Sequence, residues 1–209
     1  MRRYLHVLLA GAAAAATIIA GATAASADPI TPSSWSVSPG GAANGTAGTT
    51  LLTIQESGIE LTCQSSTVTG AILETGATGS PAQLVTLPAG SVAFQDCSGP
   101  FGLVFDVEHV GDWHLNGVTF DPATGVTTGT LTDITANITG FGCSASVAGT
   151  VGGTYTNGTG QLAIDPAATL LVTRVDPSDN CFGLINEGEH GSFDGTYTID
   201  PAQTITGTA

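Results

Sequence analysis

Two short stretches hold the side chains best suited to chemistry. Glu108, His109, Asp112 and His114 place four potential metal ligands within seven residues, and Glu187, Glu189 and His190 form a second set. Carboxylates and neutral imidazoles are donors that zinc and related cations accept. A β-strand, however, turns Glu108 and His109 to opposite faces, so their convergence on one ion requires a bend. Without it, His109 is a rim histidine beside solvated carboxylates. Asp176 and Asp179, in Asp176-Pro-Ser-Asp179-Asn180, have the composition of a calcium loop but neither the EF-hand spacing nor its glycine. The expectation is therefore no metal and no cofactor, with these six residues from Glu108 to Asp179 as weak candidates.

Hydrolytic chemistry finds less support. The sequence contains neither a Gly-x-Ser-x-Gly elbow nor a His-Glu-x-x-His helix motif. Scattered Ser, His and Asp could be assembled into a triad in any chain this rich in Ser and Asp, so their presence assigns nothing. No catalytic residue is assigned.

The first 27 residues read as a processing signal. Arg2 and Arg3 give a basic start, Val7 to Ala24 is apolar and mostly small, and Ala25-Ser26-Ala27 supplies a small-x-small cleavage pattern. General secretion suits this leader better than twin-arginine export, because no Ser or Thr precedes the arginine pair. Residues 28–209 then keep one cation, Arg174, against all 17 carboxylates, and the chain has no lysine. Such a surface cannot neutralise a phosphate backbone, which excludes nucleic acid as a partner, and it is repelled by an anionic membrane. The acidity reads chiefly as solvation outside the cell. Asn44, Asn137 and Asn157 each satisfy a glycosylation sequon, as chance allows in a chain so rich in Thr and Gly, and no glycan is expected.

What must position these groups is β-structure. Leu52 and Ile54, then Ile59, Leu61 and Cys63, then Leu103, Phe105 and Val107, and later Ile134, Ala136 and Ile138, alternate with polar neighbours. Phe193, Tyr197 and Ile199 continue the theme, with Asp194 and Asp200 turned outward. Asn157-Gly158 predicts a tight hairpin between 151–156 and 161–164. Asp-Pro-Ala at Asp121, Asp165 and Asp200 suits strand exits. The stretch 28–48, rich in Pro, Ser, Gly and Ala, reads as an extended N-terminal arm, although Trp35 and Val37 could share one face of an edge strand. The remainder, 49–209, reads as a single all-β domain, an antiparallel sandwich or barrel-like fold.

A faint duplication runs through that domain. Cys97-Ser-Gly-Pro-Phe-Gly-Leu is echoed by Cys181-Phe-Gly-Leu-Ile-Asn, and both copies reach Glu-His, Asp-Pro-Ala and Thr-Gly in the same order. It predicts half-repeats near 58–129 and 138–207 sharing one core. Four cysteines in an exported chain read as two disulfides with three connectivities. The repeat favours Cys63 with Cys97 and Cys143 with Cys181, while zinc lacks any Cys-x-x-Cys spacing.

Ser34-Trp-Ser-Val-Ser-Pro39, Gly153-Thr-Tyr-Thr-Asn-Gly-Thr-Gly160, Cys97-Ser-Gly-Pro and Pro201-Ala-Gln-Thr-Ile-Thr206 resemble strings in small secreted β-rich proteins of high-GC actinobacteria. The resemblance implies a disulfide-bonded extracellular protein and brings no active site with it. Antitumour chromoprotein carriers of the same group are similar in being secreted, acidic and β-rich with two disulfides, but they are shorter and their cysteines close shorter loops. No residue transfers from them. The function expected is non-enzymatic, a structural or binding role outside the cell or at its envelope. One alternative is a carrier of an apolar small molecule in a barrel or inter-sheet cleft lined by Phe94, Phe105, Trp113 or Phe193. An envelope porin is the other.

Overall fold

The computed structural model describes residues 28–166 and 170–209; the leader read at 1–27, and the Ala167 of the second Asp-Pro-Ala, lie outside them. All the regular structure described is antiparallel β, apart from two single 3₁₀ turns at Pro100–Gly102 and Cys181–Gly183. After β1 (Ser34–Ser38), eight staves follow in chain order. They are β2 (Gly41–Ala47) with β3 (Thr50–Ile54), β4 (Ile59–Leu73), β5 (Ala82–Leu87) with β6 (Val92–Ser98), and β7 (Val104–His109) with β8 (Trp113–Asp121). Then come β9 (Val126–Gly140), β10 (Cys143–Thr156), β11 (Gln161–Asp165) with β12 (Leu170–Asn180), and β13 (His190–Asp200).

Each stave pairs with the next along the chain. The last, β13, returns to pair with β2 through Tyr197–Ala47 and with β3 through Phe193–Leu52. The result is a closed up-and-down barrel, which resolves the choice between sandwich and barrel. Closure leaves the ring without unpaired edges. Among the described residues three staves are interrupted midway, at Gly48-Thr49, Pro88 to Ser91 and Val110 to Asp112. Such breaks and bulges bend a strand, which lets it follow the curve of a small barrel.

Side-chain alternation sets the interior. On β9, Leu131, Ile134, Ala136 and Ile138 are buried, whereas Asp133 and Thr139 are exposed. On β13, Tyr197 is buried between exposed Thr196 and Thr198. The interior is thus apolar, and the outer surface carries Thr, Ser, Asn and acidic residues.

The stretch read as an arm is extended but forms part of the wall and one end of the barrel. β2 is a wall stave between β13 and β4. β1 pairs with β14 (Thr204–Thr208) as a two-stranded ribbon that plugs that end. Trp35, Val37 and Ile205 bury themselves there against Ala82, Leu84, Phe120 and Tyr155. The ribbon is also tied by polar contacts. Trp35 Nε1 donates to the Gly79 carbonyl at 2.8 Å, and Asn157 exchanges two hydrogen bonds with the Ile205 backbone. The Tyr155 hydroxyl donates to the Gln203 carbonyl and accepts from its N–H.

The opposite end carries both disulfides, Cys63–Cys97 and Cys143–Cys181. Cys63 and Cys97 face each other directly across β4 and β6. Each bond is followed by, or ends in, a 3₁₀ turn with a phenylalanine in left-handed conformation, Phe101 at φ 60° and Phe182 at φ 56°. Two disulfides belong to an oxidising, extracellular type of environment. Among the described residues no helix is long and apolar enough to cross a membrane.

Candidate functional site

Small side chains on staves from opposite sides of the ring leave space inside the barrel. Ala43 on β2, Ala71 on β4 and Ala136 on β9 stand where a tightly filled barrel would carry larger groups, whereas Gly45 is already covered by Ile199 and Val68. An eight-stranded ring is just wide enough to be filled by side chains or to hold one small ligand. Here a cavity of about 150 Å³ remains. Its wall is completed by larger apolar groups, among them Leu61, Leu87, Ile134 and Val147.

Three of the four aromatic residues expected to line a cleft, Phe94, Trp113 and Phe193, line this lumen. Phe94 and Phe193 meet edge to face with ring centroids 6.0 Å apart. Phe105 shares their inward orientation but sits nearer the disulfide end. It lines a smaller cavity of about 30 Å³ under the loops, together with Gly99, Pro100, Leu103, Phe182 and Ile185. Leu52, Leu61 and Ile138 border both spaces. Only one layer of side chains therefore separates the lumen from the disulfide-bonded end.

Polar groups inside are few and mostly satisfied. The Tyr197 hydroxyl donates to Ser66 Oγ at 2.9 Å, and burial pushes its pKa up to about 12, so it stays a neutral donor. Thr50, which lines the lumen and is 1% exposed, has no hydrogen-bond partner for its Oγ1. A buried hydroxyl left unpaired is costly, and this oxygen is also closed off from the lumen.

The metal candidates do not gather. Glu108 points outward and accepts a hydrogen bond from Asn137 Nδ2, while its neighbour His109 is buried, as the strand parity requires. Asp112 accepts from the Ala89 N–H, and His114 belongs to the next strand, opposite Thr132. Asp176 folds back on the Ser178 N–H and hydroxyl, with Asp179 exposed beyond it. In the second set, Glu189 binds Asn186, and His190 pairs with Glu56 at 2.7 Å. No cluster of three or more His, Cys, Asp or Glu with metal-holding geometry occurs among the described residues.

His109 instead serves the wall. Its Nδ1 accepts the Val92 N–H at 3.1 Å, which places the proton of the neutral ring on Nε2, and the ring lies 4.1 Å from that of Trp113. Burial lowers its pKa, with the Gly111 backbone and the Asp112 carboxylate pulling weakly the other way. The unfolded chain, titrating near about 6.5, then takes up a proton before the folded one does. The neutral-ring contribution is complete above that pH and is lost as pH falls below it. His109→Asn, which keeps an acceptor for Val92, is expected to show a smaller drop in urea midpoint between neutral and mildly acidic pH than the parent. Equal drops would remove His109 as the titrating group.

Sequence reasoning missed the residues that create the lumen, because Ala carries no outward sign of facing a cavity. Nor did it identify the exposed role of Phe101, Phe141 and Phe182, although the repeated Phe-Gly-Leu marked two of them. The chain matches no family model, no curated protein and no solved structure. Neither resemblance drawn from its sequence therefore contributes a site residue.

Proposed function

We propose that this chain is a secreted barrel that holds a small apolar molecule in its lumen. The observation that carries the reading is the cavity of about 150 Å³ walled by apolar side chains inside a closed ring. An apolar cavity of that size stays dry and accepts a guest such as benzene. Leaving it empty costs roughly 3–4 kcal/mol at about 24 cal/mol per Å³. A purely structural role gives no reason to retain such a space, whereas a carrier does. The lumen presents almost no polar atom, so the favoured guest is a compact, wholly apolar molecule.

The leader at 1–27 and the two disulfides support export. The matched disulfides and left-handed Phe turns support descent from a duplicated four-stave unit. A porin is less well supported, because a transmembrane barrel presents apolar residues outward. Here the outer faces carry residues such as Glu60, Gln64, Asp133, Asp194 and Thr196, all exposed.

Benzene tests the lumen directly. A guest that binds only the folded state raises the melting temperature in proportion to its saturation. The parent protein is expected to melt higher in benzene-saturated buffer. Ala71→Leu, which fills the lumen, is expected to gain about 0.5–2 kcal/mol without benzene and to lose the response. A parent that ignores benzene, or a variant that still responds, refutes the carrier. Native mass spectrometry of protein from its own secretor would then identify the physiological guest.

A further inference from the structure

The disulfide-bonded end carries an apolar surface that the fold itself does not use. Three of the seven phenylalanines stand outside the barrel there: Phe101 is 92% exposed, Phe141 78% and Phe182 56%. Val104, 69% exposed, adjoins them, its carbonyl lying against Gly140 just before Phe141. Phe182 lies across the Cα of Gly142, where an added Cβ would fall 2.6 Å from its ring, and its centroid is 6.3 Å from that of Phe141. The patch thus runs around the rim from the turn at Pro100–Gly102 to that at Cys181–Gly183.

Two features mark the patch as more than scattered exposure. Phe101 and Phe182 both hold left-handed backbone, a strained state for a bulky side chain that Gly or Asn adopts readily. Both rings are also left largely in water, where burial gives no return. An exposed apolar cluster of this kind is the mark of an interaction site.

Charge selects the occupant. Glu60 shares the small cavity under the rim with Pro100 and Phe182, Asp106 projects from β7 two residues beyond Val104, and Asp179 and Glu187 flank the second turn. No lysine exists to offset them, and Arg174 is paired with Asp176 at 3.4 Å. A second copy of this chain or an anionic membrane would bring like charges together. We infer that the phenylalanine rim docks a cationic amphipathic segment of a partner protein, its apolar side chains on Phe101, Phe141 and Phe182 and its Lys or Arg among the surrounding carboxylates. This does not depend on the lumen reading.

A helical peptide with a leucine face and a lysine face is the probe, titrated against the intact protein by calorimetry. The parent is expected to bind, and the triple variant Phe101→Asn, Phe141→Ser, Phe182→Asn to bind at least about tenfold more weakly, as loss of aromatic anchors implies. The variant's net charge is unchanged, so undiminished binding would mean adsorption to carboxylates elsewhere and would overturn the proposal. Equal binding of a glutamate-for-lysine peptide would also overturn it. So would retention on zwitterionic vesicles, or a dimer abolished by the triple variant. Phe101→Asn alone, at the most exposed position, keeps the test open if the triple variant misfolds, with a weakening of at least about threefold expected and no change refuting. Ala71→Leu, which blocks the lumen, is expected to bind the peptide as the parent does.

Discussion

Trp35→Ala is expected to destabilise the protein by about 3–5 kcal/mol, the range for deleting a buried tryptophan. Trp35 is 4% exposed although it belongs to a Ser- and Pro-rich segment outside the wall. Its ring packs against Leu84 and the Cα of Gly117, where a Cβ would come within 2.9 Å of it. The substitution also leaves the Gly79 carbonyl without its indole partner. Trp35→Phe separates the two contributions, since it keeps most of the apolar contact and loses only the N–H bond. It is expected to cost about 1–3 kcal/mol, the range for a buried polar group left unpaired. Urea denaturation of the three proteins measures both. A cost below about 1 kcal/mol for alanine would show that the β1–β14 ribbon merely rests on the barrel.

The same residue illustrates why the N-terminal stretch was hard to place from sequence. Trp35 and Val37 announce a strand face, but their partners, Gly207 and Ile205, lie at the other end of the chain. The β2 segment, Gly-Ala-Ala-Asn-Gly-Thr-Ala, alternates inside and out as regularly as any other strand. Its inward residues, Ala43, Gly45 and Ala47, are too small to register as a hydrophobic pattern. Of these, Ala43 also helps to leave the lumen open, whereas Gly45 makes room for Ile199 and Val68. Where inward residues are large, as on β7, β9 and β13, the alternation was plain. Depth was not: Phe105 and Val107 share a face, yet Val107 borders the lumen and Phe105 the small cavity under the loops. Alternation assigns a residue to a face, while its height in the barrel depends on register between staves.

Removing the disulfides is expected to have the largest effect of all. Cys63–Cys97 and Cys143–Cys181 close loops with sequence separations of 34 and 38. Chain entropy assigns each about 4 kcal/mol, within a usual range of 2–5 for native bonds. They join different strand pairs, so their losses are expected to add, and about 8 kcal/mol is comparable with the 5–15 kcal/mol that typically separates folded from unfolded. The protein reduced in dithiothreitol is therefore expected to lose its cooperative urea transition or to retain it only at very low denaturant. The single-bond variants divide differently. Cys63→Ser with Cys97→Ser removes a link between residues already opposed in the β4–β6 ladder, so the folded barrel should keep its register and simply melt lower. Cys143→Ser with Cys181→Ser also weakens the anchorage of the turn that presents Phe182, leaving it held by the Cys181 N–H on the Gly142 carbonyl at 3.0 Å. That variant alone is expected to lose affinity for the cationic peptide under conditions where it remains folded. Equal peptide affinity in both double variants would show that the rim is held by packing on Gly142 rather than by the bond.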